Sequence, residues 1–65
     1  MKLRLPRFEL FKDAGGSWRW RMKAANNEIL CVSEAYSSKS AALKGAKTAR
    51  AASRFAMIKV YKDAE

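Results

Sequence analysis

SWRWRMKAANNEILCVSEAYSSK, residues 17–39, alternates large apolar groups with cations and then reverses at two asparagines. Trp18, Trp20, Met22 and Ala24 fall on one side of an extended chain, and Arg19, Arg21 and Lys23 on the other. That period of two predicts a half-buried β-strand over Trp18–Ala24. Asn tolerates the left-handed backbone region better than other non-glycine residues, so Asn26-Asn27 is the expected centre of a tight turn. With those two at the centre, a third strand pairs Met22 with Cys31 and Trp20 with Ser33. On the opposite face Lys23 then pairs with Leu30, Arg21 with Val32, and Arg19 with Glu34 in a surface ion pair.

Upstream, RFELFKD (Arg7 to Asp13) has the same period, with Phe8 and Leu10 on one side and Glu9 and Phe11 on the other. Pro6 suits a strand's start rather than its interior. The following DAGGS reads as a hairpin loop, because Gly15 and Gly16 accept positive φ without steric cost. Downstream, a helix is expected from about Ser38 to Ser53, capped by the hydroxyl of Ser37 or Ser38. At 100° per residue Ala41, Ala42, Gly45, Ala46, Ala49 and Ala52 gather on one side, and Lys39, Lys47, Arg50 and Arg54 on the other. Such a stripe lets the helix lie close to its sheet, but it buries little area and so stabilises less than Leu or Ile would.

The last ten residues of the pattern, RFAMIKVYKD (Arg54 to Asp63), are expected to form a further strand. FELFKDA at 8–14 is echoed by IKVYKDA at 58–64. A tandem repeat of a β-β-β-α unit, cut after the first strand of its second copy, would look like this. The final strand is therefore expected to serve a partner chain, which points to a homodimer.

The combination FELFKD…GSWRWRMKAANNEILCVSEAYSSKSAALKG resembles the YegP-like family of small, functionally uncharacterised bacterial proteins. The matching positions include Trp18, Arg19, Trp20, Arg21, Lys23, Ala24, Asn26, Glu28, Ser33, Glu34, Tyr36, Ser38, Lys39 and Gly45. Asn27 stands where that family usually has Gly, and Ala46 and Ala49 where it has larger aliphatics. The resemblance implies an α+β fold: a β-β-β-α-β unit, paired as two chains or two tandem repeats, with a shared sheet and exchanged C-terminal strands. For this chain an intertwined homodimer is expected, with one mixed or antiparallel sheet and one helix per chain. It implies no activity and no catalytic residues. The whole chain, 1–65, is expected to be one YegP-like domain with its core at 7–63.

Composition narrows the function. At 65 residues the chain is one domain at most, and a chain near 60 residues buries only about 60% of the surface its unfolded form exposes. Net charge is +8, from 14 Lys and Arg against 6 Asp and Glu. Between Glu34 and Asp63 there is no acid, while Lys39, Lys44, Lys47, Arg50, Arg54, Lys59 and Lys62 all fall there. That asymmetry favours an anionic partner, with nucleic acid first and an acidic protein second, against the alternative that charge merely keeps the chain dissolved. No apolar run is long enough to cross a membrane, and the start MKLRLPRF lacks the form of a secretory signal. The single Cys31 fits a reducing compartment, so the cytoplasm is the expected location.

Enzymatic chemistry is not expected. The sequence holds no His, which leaves no Ser-His or Cys-His arrangement and no imidazole ligand for a metal. Neither a cofactor nor a metal is expected, and Cys31 should face the core beside Met22. SSKS at 37–40 offers hydroxyls, a lysine and a helix N-terminus, which read as a cap or, less often, as an anion site.

Trp18, Trp20 and Met22 are expected under the helix with Phe8, Leu10, Ile58 and Val60. The other sheet face would gather Arg19, Arg21, Lys23 and Lys59 with Phe11, Tyr61, Leu30 and Val32. Cations interleaved with aromatics suit single-stranded nucleic acid, because bases stack on rings while Lys and Arg meet phosphate. The same surface suits a protein partner as well. The candidate contact residues are Phe11, Arg19, Arg21, Lys23, Lys59 and Tyr61, with Lys39, Lys47, Arg50 and Arg54 on the helix as a second basic surface.

Overall fold

The computed structural model describes residues 5–60. Three strands, β1 (Arg7–Lys12), β2 (Trp18–Lys23) and β3 (Ile29–Val32), precede one helix, α1 (Lys39–Ser53). The sheet is antiparallel in the order β1-β2-β3, so the strands are joined by two successive hairpins.

Both hairpins use one device. In the first, Gly16 N donates to Asp13 O at 3.0 Å and Asp13 N to Ser17 O at 2.8 Å, with Gly16 at φ 88°. In the second, Asn27 N donates to Ala24 O and Ala24 N to Glu28 O, each at 2.9 Å, with Asn27 at φ 72°. Each loop thus has three residues, a tight turn ending in a left-handed residue. Asn27 takes the position that Gly16 takes in the first loop, and Asn is among the few side chains that sit there readily. The expected two-residue turn is one residue too short.

That extra loop residue shifts the register locally. Arg21 pairs with Val32 and Met22 with Cys31, as the sequence predicts, but Lys23 pairs with Ile29. Leu30 is the odd residue of a bulge and does not stand opposite Lys23. A second slip lies beyond Ser33. Ser33 N donates to Trp20 O at 2.8 Å, while Trp20 N donates to the Ser33 hydroxyl at 2.9 Å instead of to a backbone carbonyl. Trp18 then pairs with Tyr36. The expected Arg19–Glu34 pair is lost to this slip, and Arg19 binds Asp13 instead.

Ser38 caps α1 from an extended conformation (φ −143°, ψ 158°), its Oγ accepting from Ala41 N at 3.1 Å. The helix packs on β1 and β2 and leaves β3 uncovered. Ala42 and Ala46 are the buried residues among those described, with Ala41, Gly45 and Ala49 half-buried beside them. Ala52, expected on that stripe, is exposed. Gly45 permits the close approach: a Cβ there would stand 2.8 Å from Tyr36 Cζ and 3.2 Å from Trp20 Nε1, and would collide with the Tyr36 hydroxyl. Phe8 and Trp20 meet edge to face, ring centroids 5.3 Å apart.

The core differs from expectation in two places. Cys31 is exposed rather than packed, because α1 does not reach over β3. Arg54 and Phe55 close the helix, with Phe55 N donating to Ala52 O at 3.1 Å, so the expected strand does not begin at Arg54. Residues 56–60 then form no strand within the chain. Ile58 and Val60, placed in the core by their period, are 93% and 91% exposed. An extended segment makes a strand only beside another, and among the described residues this segment lies along neither β1 nor β3. Tyr61 to Asp63, the rest of that predicted strand, lie outside the described residues.

Candidate anion-binding surfaces

The outer face of the sheet brings together Arg7, Glu9, Phe11, Arg19, Arg21 and Lys23. Glu9 accepts from Arg7 Nε at 2.8 Å and Arg21 Nε at 3.0 Å, with Lys23 Nζ 3.5 Å away. Arg7 also donates to Asn27 Oδ1, which ties β1 to the second hairpin. Arg19 Nε meets Asp13 Oδ2 at 2.7 Å and its Nη1 donates to Ser33 O at 3.0 Å. The guanidinium of Arg21 lies 4.7 Å from the centroid of Phe11.

These contacts change the electrostatics of both carboxylates. Hydrogen bonds from Arg7 and then Arg21, with the charge of Lys23 behind them, pull the Glu9 carboxyl from 4.5 to about 2. The Arg19 hydrogen bond, helped by the Ser17 N–H, holds the Asp13 carboxyl below its ordinary range. Of the four predicted sheet cations, Arg19, Arg21 and Lys23 therefore already face a carboxylate. Phe11 has one flank taken by a guanidinium. Lys59 belongs to the segment that joins no strand here, and Tyr61 lies outside the described residues.

The strand period had placed Glu9 on the same side as Phe11, which was the signal for the neutralising carboxylate. Arg7 has the same parity and joins this face, although it is not among the contact residues expected from sequence. Asp13 gave no such signal, since its partner is chosen by the loop fold.

The helix presents a different picture. Lys39, Lys47, Arg50 and Arg54 are exposed, and all four ion pairs among the described residues lie on the sheet instead. Lys39 Nζ lies 5.8 Å from the Trp18 ring, and the Arg54 guanidinium 6.0 Å from the Phe55 ring. At the N-terminal end, the Ser38 hydroxyl is committed to the cap. Among the described residues no group of three potential metal ligands comes together, and no helix is long and apolar enough to cross a membrane.

Residues 13–59 match the family described as Domain of unknown function (DUF1508). The chain belongs to the DUF1508 family. Similar proteins include a UPF0339 protein of Neisseria meningitidis serogroup B, 59% identical over 32 residues, which are 49% of this chain and 57% of that protein. The matched stretch is thus little more than half the length of that relative. A UPF0339 protein of Treponema denticola is 43% identical over 44 residues, 68% of this chain and 76% of its own length. The solution structure of a protein from Haloferax volcanii superposes with a TM-score of 0.77 at 30% identity, covering 91% of this chain and all of that one. Residues 13–59 take in the first loop, the second hairpin and α1, and so include the stretch that carries the sequence resemblance to YegP-like proteins except for β1.

Proposed function

We propose that this chain is a cytoplasmic, non-enzymatic, homodimeric module that binds an anionic ligand, nucleic acid first, through the basic face of α1. The observation that carries this reading is the unequal pairing of the two surfaces. Cations on the sheet are held by Glu9 and Asp13, whereas Lys39, Lys47, Arg50 and Arg54 have no carboxylate partner among the described residues. An unpaired row of cations attracts a polyanion without first breaking an ion pair. A helix face of this kind reads the phosphate backbone rather than bases, so duplex should compete well with single strand. The absence of His and the engagement of Glu9 and Asp13 by arginine support binding rather than chemistry.

The homodimer is supported by the distribution of apolar surface. Phe55, Met57, Ile58 and Val60 are 79–93% exposed, and Ile29, Leu30 and Val32 on the β3 edge are about half exposed. A partner's 56–60 segment laid along β3 would pair both sets and cover the edge.

A salt series of binding to single- and double-stranded DNA and RNA tests the reading. The expected result is an affinity that falls steeply and linearly with log salt, with duplex bound at least as well as single strand. Weak, unselective binding would favour the second reading, a protein-interaction adaptor, for which the exposed apolar tail speaks.

A further inference from the structure

At the C-terminal end of α1 the helix and the start of β1 enclose an open cavity of about 470 Å³. That volume lies within the usual range for small-ligand sites, roughly 300–1,000 Å³. Its floor is apolar, from Pro6, Phe8 and Met22, and its rim carries Arg50 and Arg54. Those two are four residues apart on one helix face and so stand side by side. We propose that this cavity binds a phosphate monoester carried on a flat apolar group, with the ring seated on Phe8 and Met22 and the phosphate held by Arg50 and Arg54.

The donors point to the anion. Neither Arg50 nor Arg54 makes an ion pair among the described residues, so each guanidinium offers its N–H fork to a ligand oxygen. Arg7 also lines the cavity, but its Nε and Nη atoms are given to Glu9, Leu5 O and Asn27. It supplies a wall rather than a grip. The Ser53 hydroxyl donates to Arg50 O at 3.0 Å and so serves the helix end. The carbonyls at the helix C-terminus oppose an anion with the equivalent of roughly half a negative charge. Two guanidiniums outweigh that.

The floor sets the other half of the ligand. A bare phosphate would leave the apolar floor wet, and a neutral ring would leave both guanidiniums unused. The site uses two cations of the helix face but does not depend on that face gripping a polymer.

Calorimetric titration of the full chain with phenyl phosphate, inorganic phosphate and phenol tests the proposal. Phenyl phosphate should bind about tenfold or more tightly than either fragment. Arg50→Gln and Arg54→Gln should each weaken it by about tenfold, the worth of one charge-assisted hydrogen bond. Lys44→Gln, the same charge change on the other flank of α1, should weaken it by less than about twofold. Phenyl phosphate binding no better than inorganic phosphate, or Lys44→Gln costing as much as Arg54→Gln, would overturn the site. Because the probe carries one phosphate and no chain, the outcome is separate from that of the nucleic-acid titration.

Discussion

The Arg21 guanidinium stands 4.7 Å from the centroid of Phe11 while its Nε reaches Glu9 Oε1 at 3.0 Å. One side chain thus occupies both the ring and the carboxylate of the outer sheet face. A base stacking on that flank of Phe11 would have to displace a cation that already has two partners. A double-mutant cycle of Arg21→Ala with Phe11→Ala should give a coupling of about 0.5–1 kcal/mol in urea unfolding. A coupling of zero would show that the ring is free to stack.

Binding should follow the unpaired cations. The Arg50→Ala/Arg54→Ala double variant should lower the slope of log affinity against log salt by about 2. Arg21→Ala should leave the slope nearly unchanged. The reverse pattern would return the nucleic-acid reading to the sheet.

Glu9 makes the stability of the sheet depend on pH in a fixed direction. Its carboxyl is drawn down from 4.5 to about 2 in the folded chain. A depressed carboxyl contributes stability above its unfolded value and loses it as pH falls through the folded one. Wild type should therefore lose stability relative to Glu9→Gln between pH 4.5 and about 2. The Glu9 side-chain carboxyl carbon should titrate near 2 by NMR, and Arg7→Ala should raise that midpoint most. Titration at the ordinary glutamate value would show that the Arg7 and Arg21 bonds do not form in solution.

Gly45 lies where a Cβ would collide with Tyr36. Alanine at 45 gains about 1 kcal/mol of helix propensity, yet the overpacking costs about 1–3 kcal/mol. Gly45→Ala should therefore be neutral to destabilising by about 2 kcal/mol, and the penalty should shrink in a Tyr36→Phe background. A clear stabilisation by Gly45→Ala alone would mean that α1 stands further from the Tyr36 ring.

Assembly is checked by concentration. The unfolding midpoint should rise with protein concentration, as for any chain stabilised by its partner. Ile58→Asp should lower it and shift sedimentation toward the monomer. A compact, stable monomer at micromolar concentration would end the exchanged-strand proposal.

Alternation along Trp18 to Lys23 fixed which side of β2 meets the helix, because side chains in a strand must point to opposite faces. Gly16 and Asn27 marked their loops by the same local rule, since few other residues accept a positive φ. Ser38 and the Ala/Gly stripe of α1 were equally local, set by capping chemistry and a period of 3.6. Tertiary structure alone settled the partners. Leu30 was displaced by a three-residue loop, and Arg19 went to Asp13 because Ser33 puts its hydroxyl where the ladder expects a carbonyl. Cys31 was left exposed by a helix that spans only two of the three strands. Residues 56–60 have the composition of a strand but no strand neighbour among the described residues. Periodicity belongs to one segment and can be read from it, whereas an ion pair, a covered face or a paired edge needs a second segment brought alongside.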